Sequence, residues 1–221
     1  MGLAALAFLV LAGMPLTVLP QKMAGSINSF PIIAAPLFIL MGNILAAAQI
    51  TDRIVAFASA LIGWVRGGYA HASILTSMIF AGMVGSAVAD AAGAGAIEVR
   101  AMRRAGYRPE TAASITAAAA TIGPIIPPSL PMVIYGVTAD VSIGKLFVAG
   151  IIPGLLMGLS LMIMVTFIAT REGMGRKTFA GWGTVLKTFL DGFFVLMTPV
   201  VILGGIFSGL CTPTEAAAIA C

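Results

Sequence analysis

The chain has 221 residues, of which 60% are hydrophobic and only 9% charged, with a formal net charge of +4. An ordinary soluble domain carries roughly 25% charged residues, so the composition excludes a soluble globular protein and describes an integral membrane protein. Its basic residues sit in short segments between apolar runs and form no stripe with aromatics, which excludes a nucleic-acid partner and makes them reporters of topology. The apolar segments are rich in Gly, Ala, Leu and Ile and do not alternate as barrel strands would. The expected fold is therefore all-α, with room for about five to seven membrane segments at about 20 residues each. Cys211 and Cys221, both near the C-terminus in apolar or small-residue surroundings, do not form a disulfide or zinc framework by spacing.

The first apolar run, Gly2 to Leu19, lacks a basic n-region and a small-residue cleavage site, and reads as a span or part of one. It ends at Pro20-Gln21-Lys22. A polar patch from Gly25 to Ser29 leads into a second run, Ile32 to Ile50, with Pro31 and Pro36 near its start and Asn43 inside. Thr51-Asp52 is an N-cap signal, since both side chains accept from first-turn N–H groups. The helix it starts, Asp52 to Val65, is too short to span upright and is expected to be an interfacial or tilted connector.

From Ala70 to Ile97 the chain is again apolar. Arg66 precedes this stretch and Arg100, Arg103, Arg104 and Arg108 follow it, so the positive-inside rule places both ends in the cytoplasm. Residues 70–97 are too few to cross twice, because two spans need about 40. The economical solution is a re-entrant helical hairpin turning near Gly85-Ser86; the alternative is one long span with Arg66 outside. Two crossings then fit before the next basic loop at Arg171, Arg176 and Lys177: Ala112 to Thr138, broken at Pro124 to Ser129, and Leu146 to Ala169. Asp140 and Lys145 mark the turn between them. A final span is expected from Phe189 to Leu210, followed by a capped helix start at Thr212-Pro213-Thr214-Glu215, with Pro tolerated in the first turn.

Two interruptions carry the functional signal, because a bilayer offers the backbone no water and helix breaks survive only where protein or a polar cavity satisfies the freed groups. In the first, Gly85-Ser86-Ala87-Val88-Ala89-Asp90, a hydroxyl and a carboxylate lie deep in an apolar stretch. An intramembrane carboxylate costs about 2.5 to 3.5 kcal/mol on insertion scales, so Asp90 reads either as part of an ion or substrate pathway or as a helix-capping or internally bonded group. Ser86 reads as a cation ligand or as an interhelical hydrogen bond. In the second, Gly123 to Ser129, Pro127 and Pro128 lack N–H donors and displace carbonyls from helical bonding. Free carbonyls there, from Gly123 to Pro127, would suit Na⁺, as in the discontinuous helices of secondary transporters; the competing reading is a packing kink. His71 is the only histidine. Its one conceivable catalytic pairing, with Ser86, spans opposite depths of the bilayer, so an enzyme is not expected and interface placement is. Trp64, Tyr69 and Trp182 suit anchoring at the membrane surface. The small residues of 91–96 and 112–120 suit tight helix packing.

Pro36-Leu37-Phe38-Ile39-Leu40-Met41-Gly42-Asn43, the Gly85 to Asp90 segment, Ala105-Gly106-Tyr107, Ile122 to Ser129 with Met132-Val133-Ile134-Tyr135-Gly136, and Thr212-Pro213-Thr214-Glu215-Ala216-Ala217 occur in one order along the chain. Together they resemble the large membrane subunit of TRAP transporters, the DctM-type or M subunit. The resemblance implies an elevator transporter of two inverted repeats, each with a re-entrant hairpin and a broken helix. It implies Na⁺-coupled uptake of an organic acid delivered by a periplasmic binding protein, together with a small (Q-type) membrane subunit, in the lipid of the bacterial inner membrane. Its first sodium site maps onto Ser86, Gly123, Ile126 and Pro128, with Gly85, Asp90, Pro127 and Ser129 as further site residues. Val84 stands where many members carry a second serine. The organisation expected is residues 1–69 as scaffold-type spans and connector, 70–145 as a transport-type unit, and 146–221 as following spans before a second repeat. Members are roughly twice as long, so the chain reads as an N-terminal half, with a non-transporting or scaffold subunit as the alternative.

Overall fold

The computed structural model describes residues 2–27, 33–47, 50–171 and 178–220. Among these are thirteen α-helices and no strand: α1 Gly2–Leu11, α2 Val18–Ile27, α3 Ala34–Ala47, α4 Ile50–Ile62, α5 Gly68–Val84, α6 Ala87–Ala92, α7 Ala94–Arg104, α8 Pro109–Ala120, α9 Leu130–Thr138, α10 Ile143–Arg171, α11 Trp182–Asp191, α12 Phe193–Phe207 and α13 Pro213–Ala220. The all-α expectation therefore holds. Within the described residues α10 is long and apolar enough to cross a membrane by itself, and α11 and α12 pass the same test only jointly, bent by 67°.

Several boundaries differ from the sequence reading. The first run is not one helix, because Gly13, with positive φ, and Pro15 end α1, and the chain restarts in α2. Pro20 does not terminate that second helix; it lies in the first turn, where its missing N–H costs nothing. Residues 28–32 and 48–49, with parts of the Gly25 to Ser29 patch and of the second run, lie outside the described residues. Thr51 and Asp52 fall inside the first turn of α4 and not before it. The expected final span splits at Gly192: Phe189 belongs to α11, whose Arg53 partner on α4 donates from its guanidinium to the Asp191 carbonyl at 2.8 Å. Thr212 caps α13 as expected. Its hydroxyl accepts from the Glu215 N–H at 3.3 Å, and the Glu215 carboxylate accepts from the Thr212 N–H at 2.8 Å, a reciprocal capping box.

The centre of the molecule is α5. It is buried on nearly every side, as a helix without a polar face must be. One apolar cluster joins it to α3, α9, α10, α12 and α13 through Phe38, Met41, Phe80, Met83, Val133, Phe147 and Ile202. A second joins it to α7, α8 and α10 through Ile74, Met102, Ile115, Ile122 and Val165. The outer face of α10 exposes Val148, Ile152, Leu155, Leu159, Ile163 and Phe167, the surface a bilayer would cover. Trp64 and Trp182, both exposed, flank Phe179 in edge-to-face contacts at 6.2 and 5.6 Å, which suits the interfacial placement expected of them.

Candidate functional site

The chain does turn at Gly85-Ser86. Gly85 adopts a left-handed conformation (φ 60°, ψ 23°), and its N–H donates to the Ala81 carbonyl at 3.1 Å, closing α5. Ser86 is extended and caps α6, its hydroxyl accepting from the Ala89 N–H at 3.4 Å. Beyond the turn the chain runs back along α5. Ser73 on the outgoing arm donates to the Glu98 carboxylate on the returning arm, and the two residues lie symmetrically about the turn. Gly93, which interrupts the return between α6 and α7, passes over the Phe80 ring.

The second interruption is longer than expected. α8 ends at Ala120, and the N–H groups of Thr121, Ile122 and Gly123 reach back three residues to Ala118, Ala119 and Ala120 at 3.2, 3.0 and 3.1 Å, the tightened turn typical of a helix end. The Ile122 carbonyl accepts from both Ile125 and Ile126 N–H groups. Ser129 then caps α9, accepting from the Met132 N–H at 3.4 Å and donating its proton to the Pro124 carbonyl; the Pro127–Pro128 peptide is cis. The Pro124 carbonyl, expected to be free, is thus engaged by the Ser129 hydroxyl. Among the described residues no donor reaches the carbonyls of Gly123, Ile125, Ile126, Pro127 or Pro128.

The two interruptions touch. A Cβ at Gly85 would lie 2.2 Å from the Pro128 carbonyl oxygen and 2.8 Å from Ser129 Cα, and one at Gly123 would lie 3.3 Å from both the Ala87 nitrogen and the Ser86 carbonyl carbon. Gly85, Ser86, Gly123, Pro128 and Ser129 therefore converge, half-buried at Ser86 and buried at the others. Pro127 neighbours them and faces Gly82. Ile126 docks its side chain on Gly154 of α10. Asp90 does not join the tip contact: its carboxylate faces Ser77 across the hairpin. Val84 packs its methyls onto Gly42 of α3, where an added Cβ would lie 2.8 Å away.

Residues missed in the sequence hold the break in place. Gly150, Gly154 and Gly158 form a stripe on α10 at one-turn spacing. A Cβ on them would meet the Ile125 carbonyl at 2.5 Å, Ile126 Cγ1 at 2.4 Å and Met78 Sδ at 2.4 Å. The four-residue glycine period was readable as a small-residue packing face, although its partner was not. His71 is buried, 3% exposed, with Nδ1 3.1 Å from the Gly67 carbonyl and Nε2 3.1 and 3.0 Å from the Met162 carbonyl and Thr166 hydroxyl. It ties the base of the hairpin to α10. Cys211 is a free thiol; Cys221 lies outside the described residues.

The family model described as "Tripartite ATP-independent periplasmic transporter, DctM component" matches residues 1–221. The chain belongs to the DctM family of TRAP transporter permeases. It is 46% identical to the sialic acid TRAP transporter large permease protein SiaM of Vibrio cholerae over 216 residues, 97% of this chain and 51% of that protein. It is 44% identical to the isethionate TRAP transporter permease protein DctMQ of Oleidesulfovibrio alaskensis over 222 residues, 100% of this chain and 35% of that one. It is 40% identical to the C4-dicarboxylate TRAP transporter large permease protein DctM of Vibrio cholerae over 191 residues, 86% of this chain and 42% of that one. The permease chain spans about half the length, or less, of these curated relatives, which are transporter subunits and not enzymes.

Proposed function

We propose that the chain forms one cation half-site of a TRAP permease in the bacterial inner membrane, and that the permease couples Na⁺ entry to uptake of an organic acid. The carrying observation is the docking of the Gly85-Ser86 turn on a break whose Gly123, Ile126, Pro127 and Pro128 carbonyls have no donor. Na⁺ is a hard cation that takes neutral oxygens, and the Ser86 hydroxyl with these carbonyls offers them at the meeting of two helix ends. Val84, turned onto Gly42, adds no ligand. The substrate class rests on the relatives, whose named substrates, sialic acid, isethionate and C4-dicarboxylate, are all organic anions. A periplasmic binding protein would deliver the acid, and a small membrane subunit would complete the permease.

In this reading the hairpin (70–97) enters and leaves the membrane on one side and moves with the broken helix (112–138) as the transport unit within residues 70–145. Residues 1–69 and 146–221 contribute the flanking spans against which it slides. In cells that take up a radiolabelled organic acid through this permease and its partners, Ser86→Ala and Pro128→Ala weaken Na⁺-dependent uptake while membrane insertion stays intact. Normal Na⁺ dependence in both variants overturns the assignment. A cysteine placed at Arg66 reacts with a thiol label from the cytoplasm; labelling only from outside replaces the re-entrant hairpin by a full span.

A further inference from the structure

Below the tip, the two arms of the hairpin enclose a polar seam that the tip site does not use. Asp90 is 2% exposed and Glu98 3%, and both side chains turn inward. The Ser77 hydroxyl faces the Asp90 carboxylate, yet neither Asp90 oxygen has a partner at hydrogen-bonding geometry. Ser73 satisfies one Glu98 oxygen, and the other has no partner. From α8, Thr116 packs its methyl on Gly95, beside the Asp90 backbone, and its buried hydroxyl is unpaired, as is that of Thr76 on α5.

Buried polar groups in proteins are nearly always bonded, and a buried carboxylate without a cation is costlier still. No basic side chain among the described residues provides one. Arg100, Arg103 and Arg104 on α7 are exposed, Arg53 on α4 is bonded to the Asp191 carbonyl, and His71 is held by Gly67, Met162 and Thr166. A proton on Asp90 would remove its charge and could bond the facing Ser77 hydroxyl, but it would leave the free Glu98 oxygen and the Thr116 hydroxyl unmet. One small hard cation would satisfy several of these oxygens together. The set is all oxygen, with no histidine or cysteine, and among the described residues no three acidic, histidine or cysteine side chains cluster as a metal site. That disfavours a transition metal.

We propose that the seam between the hairpin arms is a second Na⁺ site, built from the Asp90 carboxylate, the free Glu98 oxygen and the hydroxyls of Ser77 and Thr116. It is separate from the tip, where Ser86 and the carbonyls of the break are the ligands, and it stands whether or not that reading does. The cation here would offset one of the two carboxylate charges inside the hairpin and fix the spacing of its arms.

The test is ²²Na⁺ equilibrium binding to the purified permease in lipid nanodiscs, with choline chloride holding ionic strength constant. Asp90→Asn is expected to bind one fewer Na⁺ per chain than the wild type. Thr116→Val, which keeps the shape of the side chain, weakens the same component about 10-fold or more, at least the effect of an outer-shell change at a metal site. Ser86→Ala keeps this component and loses only the tip's. Unchanged binding in both Asp90→Asn and Thr116→Val overturns the proposal, as does loss of all bound Na⁺ in Ser86→Ala. Should Asp90→Asn fail to fold, Thr116→Val carries the decision. Reduced binding in Thr116→Val with no change in Ser86→Ala supports the seam and refutes the tip.

Discussion

The contact between hairpin tip and break rests on one missing methyl group, which makes Gly85→Ala the most direct perturbation. Two costs arise. An L-residue at φ 60° loses about 1–2 kcal/mol to the left-handed backbone. The new Cβ would also lie 2.2 Å from the Pro128 oxygen and 2.8 Å from Ser129 Cα, both backbone atoms that cannot rotate away, which adds about 1–3 kcal/mol of overpacking. Gly106→Ala isolates the first cost, because Gly106 has φ +91° and nothing within 4 Å of an added Cβ. Thermal unfolding in one detergent, followed by the fluorescence of Trp64 and Trp182, should therefore show a loss of about 2–5 kcal/mol for Gly85→Ala and about 1–2 kcal/mol for Gly106→Ala. Na⁺ titration of the same samples should show weakened binding only in Gly85→Ala. Equal destabilisation by the two substitutions would refute the tip-on-break contact.

Gly154→Ala sets a methyl 2.4 Å from Ile126 Cγ1 and should cost about 1–3 kcal/mol; combined with Ile126→Ala, the pair should lose at least about 0.5 kcal/mol less than the sum of the single changes in a double-mutant cycle. Thr212→Ala should cost about 0.5–2 kcal/mol, and Glu215→Ala added to it little more, since each completes the other's capping box; additive losses would dissolve that pairing. Val84→Ser should lower the melting temperature, by about 1–3 kcal/mol equivalent for a hydroxyl buried against Gly42, and leave Na⁺ affinity unchanged. A gain in affinity would show that this position faces the ion after all.

How much of this was legible depended on whether the signal was local. The hairpin turn was readable because glycine supplies the left-handed residue and serine the next cap, both encoded in two adjacent letters. The proline-rich break and the Thr212 to Glu215 box were readable for the same reason. The bend at Gly192 had a local signal too, the turn dipeptide Asp191-Gly192, which the apolar residues on either side masked; there α11 packs on α4 through Arg53 and the Phe57–Phe189 rings at 5.8 Å. The burial of His71 was not readable, because it is decided by α10, more than ninety residues on. Glu98 fell one residue past the expected hairpin end. Its equal distance from the turn with Ser73 was the available clue, since antiparallel arms bring such positions together.

The distinction between a binding break and a packing kink turns on what happens to the carbonyls one by one. The Ile122 carbonyl is taken twice by backbone N–H groups and Pro124 by the Ser129 hydroxyl, whereas Ile125 lies against Gly150 with no donor. A kink evolved only for packing would dispose of the others in the same way, because each unmet buried polar group costs about 1–3 kcal/mol. Gly123, Ile125, Ile126, Pro127 and Pro128 are left over instead, and of these Gly123 and Pro128 lie against the hairpin tip, beside the Ser86 cap. Nearby glycines and hydroxyls could have closed this surplus and do not. The α10 glycines receive the Ile125 carbonyl and the Ile126 side chain, so the break is held between the hairpin tip on one side and α10 on the other.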